Sequence, residues 1–143
     1  MSASVELEIE QGRYQGLPEH ERICKYCSTG EVDHERHLLL HCPTFLTSRL
    51  CFIGKMSSLI PNFRNMSEDN QLTTMLCPVT AATTRLINKY IRLLFANRRR
   101  INNGDIIISY PTYPTNINCD AYFDYLDLDF DYATPHFVLM KIK

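Results

Sequence analysis

Apolar and polar positions follow their clearest helical pattern in the stretch that begins after Thr80, which can act as its N-cap, and runs to about Arg100. On a helical wheel of about 100° per residue, one side of this stretch is apolar and the opposite side is cationic. The apolar side holds Ile87, Tyr90, Ile91, Leu94 and Phe95. The cationic side holds Arg85, Lys89 and Arg92. The pattern predicts an amphipathic helix that buries one face, and we define residues 67–101 as a helical segment with a basic face.

Three shorter helical stretches are predicted before this helix, and prolines separate them. A capping hydroxyl at Ser67, followed by two acidic residues, favours the start of a helix that Pro78 ends. Further upstream, Pro43 separates a helix that starts near Asp33, which can act as its N-cap, from a second one over residues 44 to about 55. The middle of the chain therefore predicts helices joined by short breaks.

The two ends of the chain lack a helical period. Val5 to Ile9 alternates apolar residues with glutamate, which predicts a short edge strand, and the Gly- and Pro-containing stretch after it indicates a loop. Residues 1–20 are therefore interpreted as an N-terminal strand and loop segment. Residues 102–143 contain a tract rich in Tyr, Phe and Asp without a lasting period, and they are interpreted as a weakly structured tail.

Charge divides a chain of otherwise ordinary composition into three parts. The 143 residues fit about one domain, and the formal net charge is −1. Residues 71–104 nevertheless hold six basic and no acidic residues, whereas the flanking parts are net acidic. This basic part can face a phosphate backbone or be an ordinary solvated helix surface. The candidate nucleic-acid contacts are Arg85, Lys89, Arg92, Arg98, Arg99 and Arg100.

How the six cysteines are interpreted depends on whether the protein is in an oxidising or a reducing cellular compartment. The acidic residues 1–10 do not resemble a signal peptide, and no apolar run is long enough for a membrane span. We therefore expect a nuclear or cytoplasmic protein with no membrane association, in which thiols stay reduced. In that setting a close pair of cysteines indicates metal binding, whereas Cys51, Cys77 and Cys119 are interpreted as small apolar residues.

One group of cysteines and histidines has the spacing of a metal site. Cys24 and Cys27 form a Cys-x2-Cys pair, and Gly30 eases the tight turn that follows it. His37 is the expected third ligand. With a fourth protein ligand, a tetrahedral zinc ion would have no open position for water, so the predicted cofactor is a structural zinc ion.

The fourth ligand has two candidates. On an ideal helix, His41 lies four residues after His37 and therefore on the same face. Pro43 disfavours helical geometry at Cys42 and can swing that thiol outward, and a thiolate is the softer ligand. Spacing alone leaves the choice open.

These residues resemble a known family. Two stretches carry the likeness: residues 7–27, with Ile-Glu-Gln-Gly-Arg-Tyr, Leu-Pro and Arg-Ile-Cys-Lys-Tyr-Cys, and residues 31–43, which end in His-Leu-Leu-Leu-His-Cys-Pro. They resemble the C-terminal zinc-binding region of non-LTR retrotransposon reverse transcriptases. The likeness covers residues 5–100 and is strongest over 7–43. His34 departs from it, because the family usually has an acidic residue there.

The resemblance implies a ligand pattern of Cys-x2-Cys followed by His-x4-Cys. Carried over position by position, it selects Cys24, Cys27, His37 and Cys42. It implies no polymerase activity, because it covers no palm domain with paired catalytic aspartates.

The predicted fold is therefore mainly α. A small zinc knuckle and its following helix occupy residues 21–56, further helices follow, and the C-terminal tail is irregular. The predicted function is a non-enzymatic zinc-binding module derived from a retroelement, with weak, non-specific binding to RNA or DNA and no small-molecule substrate. The alternative is a structural or protein-interaction remnant that binds a partner through Ile87, Ile91 and Leu94.

Overall fold

The computed structural model describes residues 7–104 and Cys119. Within this part of the chain, short 3-10 and π turns link four α-helices, and the only β pairing is an isolated antiparallel bridge between Ile23 and Val32. The helices are α1 (Glu8–Tyr14), α2 (Leu46–Leu59), α3 (Glu68–Leu76) and α4 (Ala81–Asn102). The predicted mainly α class, with a cysteine-rich region followed by helices, is confirmed. The predicted tail lies almost entirely outside the described residues.

None of the helices in the described ranges combines the length and the apolar character that crossing a bilayer requires.

Helix α1 occupies the N-terminal segment, so the strand predicted there is wrong for the residues that the structure describes. The N–H of Glu8 donates to a carboxylate oxygen of Asp33 (2.9 Å), and the N–H of Ile9 donates to the carbonyl of Asp33 (3.2 Å). These bonds satisfy two donors that the first turn of a helix leaves unpaired. A residue distant in sequence therefore caps α1, which no local alternation could reveal.

The caps predicted for the later helices are confirmed. The Ser67 hydroxyl accepts from the N–H of Asn70 (3.3 Å) at the start of α3. Thr80 begins α4 in a capping box, in which its side chain and that of Thr83 each bond to the other's backbone N–H. Hydroxyl side chains satisfy the free donors of the first turn here, so the local sequence alone is sufficient to start both helices.

The core forms where α4 packs on α2. The ring of Phe52 stacks on that of Tyr90, with centroids 4.1 Å apart, and Phe63 meets Phe52 edge-on at 6.2 Å. The Tyr90 hydroxyl donates to the carbonyl of Leu39 (2.8 Å), which lies in the cysteine-rich region. The aromatic pairs contribute about 0.5–1.5 kcal/mol each beyond their buried area. This core therefore holds the cysteine-rich region against both helices.

Two of the scattered cysteines are joined. Cys51 on α2 forms a disulfide with Cys119, with Cα atoms 5.3 Å apart, so the interpretation of these two residues as unpaired apolar side chains is wrong. Cys77 is free and exposed, so the interpretation as a buried apolar residue is wrong for it too, whereas Cys51 does lie in the core. The disulfide ties position 119 to the α2 side of the core.

Gly12 lies buried on α1 where another side chain approaches the helix closely. A Cβ at this position would collide with Cγ of Arg22 and would lie 2.8 Å from its Cδ. The guanidinium of Arg22 is fixed by bonds to the carbonyls of Leu17 (2.7 and 2.9 Å) and Ile9 (3.0 Å). The arginine stem therefore cannot move aside without losing these bonds.

We expect Gly12→Ala to lower the free energy of unfolding by about 1–3 kcal/mol, because it overpacks this contact. The matched control is Gly54→Ala on α2, where a Cβ would have no atom within 4 Å. Since alanine is the better helix former, this variant should be more stable by about 0.5–1 kcal/mol. Urea unfolding followed by circular dichroism measures both. Equal effects at the two positions would contradict the close packing of Gly12 on Arg22.

Candidate metal centre

The first half of the centre is a turn that carries two cysteines. The N–H of Cys24 donates to the carbonyl of Glu31 (2.9 Å), which closes the base of the turn beside the Ile23–Val32 bridge. Gly30 has a φ of +74°, a left-handed conformation that other residues rarely adopt. The chain therefore reverses direction at the predicted glycine, within three residues of Cys27.

The second half is a short helical stretch that contains a π turn over His37–His41. Its start is capped by His34, whose Nδ1 accepts from the N–H of His37 (3.1 Å), so the predicted N-cap at Asp33 is wrong by one residue. The N–H of Cys42 donates to the carbonyl of His37 (2.7 Å). A π turn contains one residue more than an α turn, and it therefore places Cys42 near His37.

The two halves bring four side chains together. The ligand atoms of Cys24, Cys27, His37 and Cys42 all lie within 4.8 Å of one another. Metal–sulfur bonds of about 2.3 Å in a tetrahedron separate the ligand atoms by about 3.5–4 Å, so only a small contraction is needed. At most 2% of Cys24, His37 and Cys42 is exposed, and Cys27 is half-buried. These four residues can hold a metal ion.

His41, the other candidate for the fourth ligand, lies at the surface. Its Nε2 is 2.9 Å from a carboxylate oxygen of Glu68 on α3, and about a third of its side chain is exposed. It is not a member of the buried group. The structure thus assembles the group with Cys42, the residue that the family resemblance selects.

Hydrogen bonds inside the group shift the pKa values of its members. The hydrogen bond with Cys42, together with burial, raises the pKa of Cys24 to about 12, and the same bond lowers the pKa of Cys42. Burial alone would lower the pKa of His37, but hydrogen bonds to Cys24 and Glu31 raise it to about 9. Thiols and imidazole this close compete for protons that a bound cation displaces.

A buried ion pair lies next to the metal centre and holds helix α4 against it. The sequence pattern did not predict this pair. Arg98 on α4 donates to both carboxylate oxygens of Asp33, at 2.9 and 2.6 Å, and neither side chain is exposed. The guanidinium carbon of Arg98 lies 4.4 Å from the ring centroid of Tyr26, and Asn102 donates to the hydroxyl of Tyr26 (3.0 Å). The end of α4 is therefore fastened to the turn between the first two cysteines.

Arg98 is consequently wrong as a predicted nucleic-acid contact. The sequence contains the signal that was missed: eleven residues after Ile87, Arg98 lies about 20° from it on the helical wheel, on the apolar face. A charge at that position needs a buried partner. Asp33 is that partner, and with it the pKa of Arg98 is raised although burial opposes this.

The other basic residues of α4 remain at its surface. Arg85, Arg99 and Arg100 are exposed, and Lys89 and Arg92 are half-buried. Positions 85, 89, 92 and 99 advance by multiples of about 3.5 residues, so they form a nearly straight line about 21 Å long. We call these four residues, together with the exposed Arg100 at the end of the line, the basic stripe.

The metal centre and the basic stripe are the candidate functional features discussed for the described residues. Comparisons of the chain with protein family models, with curated proteins and with solved structures found no match.

Proposed function

We propose that the chain is a non-enzymatic zinc-binding module, derived from the C-terminal region of a retroelement reverse transcriptase. The observation that carries this proposal is the buried group of three cysteines and one histidine whose ligand atoms lie within 4.8 Å of one another. Three thiolates and an imidazole are the donor set of structural zinc sites. One zinc ion per purified chain, measured by native mass spectrometry, is the expected result, and a metal-free folded chain would contradict it.

The role we assign to the metal is structural. Four protein ligands fill a tetrahedral shell and leave no position where water could be activated. The ligands come from two segments, namely the turn at Cys24–Cys27 and the stretch that runs from the π turn at His37–His41 to Cys42. A metal ion that joins them stabilises the fold directly.

The spacing of the clustered residues supports the retroelement origin. The Cys-x2-Cys pair and the His-x4-Cys pair meet in one group, as the family motif requires. The fourth metal ligand carries most of this support, because an ordinary α turn would favour His41, whereas the family motif has a cysteine at the position of Cys42.

We further propose that the module binds RNA or DNA weakly through the basic stripe. The stripe runs straight along α4, whose opposite face is fixed in the core by Ile87, Ile91 and Leu94. Cations held in a line can contact successive phosphates, and phosphate contacts carry no sequence information. The expected binding is therefore non-specific and sensitive to salt.

Replacing two cations of the stripe, in the variant Arg85→Ala/Arg92→Ala, is expected to weaken binding to a labelled DNA duplex and to a labelled RNA strand. On the duplex, the slope of log affinity against log salt should fall by about 0.9 for each lost contact. Fluorescence anisotropy over a range of salt concentrations measures this. The control Arg13→Ala/Arg64→Ala removes two exposed cations outside α4 and should change neither affinity nor slope. Equal effects of both variants would contradict the stripe.

The alternative function, a protein-interaction remnant, depended on the apolar face of α4. The structure buries Ile87, Ile91 and Leu94 in the core, with at most 3% of each exposed. These side chains are therefore occupied within the chain itself, and the geometry favours the nucleic-acid proposal.

A further inference from the structure

The imidazole of His37 is held from both of its nitrogens. Its Nδ1 is 2.7 Å from a carboxylate oxygen of Glu31, and its Nε2 is 3.4 Å from the sulfur of Cys27. The ring is completely buried, whereas about half of the Glu31 side chain is exposed. One nitrogen therefore faces a carboxylate at the surface, and the other faces the interior of the metal centre.

This arrangement determines which tautomer can bind a metal. A carboxylate has no proton to donate, so Nδ1 of His37 must carry the hydrogen in its bond with Glu31. In a neutral imidazole, Nε2 then presents its lone pair to the three sulfurs. Metal-binding histidines commonly have such a partner, which fixes the ring and raises its basicity.

The same turn supplies a partner for a second ligand. The hydroxyl oxygen of Thr29 lies 3.2 Å from the sulfur of Cys27 and accepts from the N–H of Glu31 (3.4 Å). Because its oxygen accepts from Glu31, the hydroxyl can direct its proton to Cys27, and a thiolate can only accept. Thr29 contacts Cys27 and Glu31 contacts His37, so two of the four metal ligands have a hydrogen-bonding partner outside the group.

Glu31 connects both halves of the centre. Its backbone carbonyl accepts from the N–H of Cys24 (2.9 Å), and its carboxylate accepts from the ring of His37. The backbone bond survives any side-chain substitution, so the effect of the carboxylate can be measured separately. Glu35, two residues before His37, is the matched control, because it is an acidic residue of the same helical stretch and does not line the group of ligands.

We propose that Glu31 is a positioning residue of the metal centre, which locks His37 in the tautomer that binds zinc through Nε2. This inference rests on the proposed zinc site and adds to it a residue outside the four ligands. If Glu31 acted only through an ion pair with His37, its effect would depend on its negative charge. The positioning role depends only on an oxygen that accepts a hydrogen bond from Nδ1 of His37.

The test uses the full chain with Glu31→Ala, Glu31→Gln and Glu35→Ala. Zinc affinity is measured by competition with a chromophoric chelator. Glu31→Ala should bind zinc about 10–100-fold more weakly. Glu31→Gln should recover most of this loss, because its amide oxygen still accepts from Nδ1. Glu35→Ala should match the unmodified chain.

A second measurement reports the tautomer directly. Nitrogen-15 NMR of the zinc-loaded chain should show a proton on Nδ1 of His37 that exchanges slowly with water, and this exchange should be faster in Glu31→Ala. Unchanged zinc affinity and unchanged exchange in Glu31→Ala would overturn the positioning role while the zinc site stands. Equal losses in Glu31→Gln and Glu31→Ala would also overturn it. An unmodified chain that binds no zinc would instead overturn the site itself.

Discussion

Replacing Cys42 with serine is expected to remove the bound zinc ion and with it most of the cooperative fold. Cys42 is completely buried, and its sulfur is one of four ligand atoms within 4.8 Å of one another. Structural zinc contributes on the order of 10 kcal/mol or more to folding, which is comparable to the whole free energy of unfolding of a small domain. Native mass spectrometry and near-ultraviolet circular dichroism of the purified variant measure the two losses.

Two matched variants make this prediction specific. His41→Ala removes the competing candidate ligand, and because its pair with Glu68 lies at the surface, it should lower the free energy of unfolding by no more than about 1 kcal/mol and retain the metal. Cys77→Ser repeats the same chemical change at an exposed cysteine outside the group and should have no effect on metal content. Zinc that persists in Cys42→Ser and disappears in His41→Ala would show that the fourth ligand is His41.

Replacing Arg98 with methionine should lower the free energy of unfolding by about 3–5 kcal/mol. Methionine conserves much of the apolar stem, so the loss arises mainly because the carboxylate of Asp33 remains buried without its partner. Arg98→Lys should recover little, since an ammonium cannot bind both carboxylate oxygens as a guanidinium does. Chemical unfolding of the zinc-loaded variants measures these differences.

Arg99→Ala is the control for this prediction. Arg99 is the next residue on α4 and is exposed, so its loss should change stability by no more than about 0.5 kcal/mol. Adding Asp33→Asn to Arg98→Met should cost less than the sum of the single effects, because the second change removes the unpaired charge. Strictly additive effects would show that the two side chains do not stabilise each other.

Much of the helical architecture was predictable because its signals are local. Ser67 and Thr80 start α3 and α4 as predicted, and the 3.6-residue period of α4 identified Ile87 and Leu94 as core residues. Helix α2 begins shortly after the predicted position and ends four residues beyond residue 55. Capping and periodicity act within a few residues, so a single sequence contains them.

The errors have a different physical origin. The N-terminal strand was wrong because Asp33, far along the chain, caps α1. Arg98 was assigned to the surface by its charge, although its position on the wheel is apolar. The disulfide between Cys51 and Cys119 joins residues 68 apart, a pairing that spacing does not indicate.

The residue types of the centre, the turn at Gly30 and the two possible fourth ligands follow directly from the order of residues in the chain. Packing between distant segments decided that the helix after His34 continues as a π turn, which turns Cys42 inward and leaves His41 beside Glu68. It also decided that Glu31 faces the ring of His37. Helix period and ligand chemistry depend on residues that are close in the sequence. The choice between the neighbouring side chains of His41 and Cys42 depends instead on which of them points into the packed core.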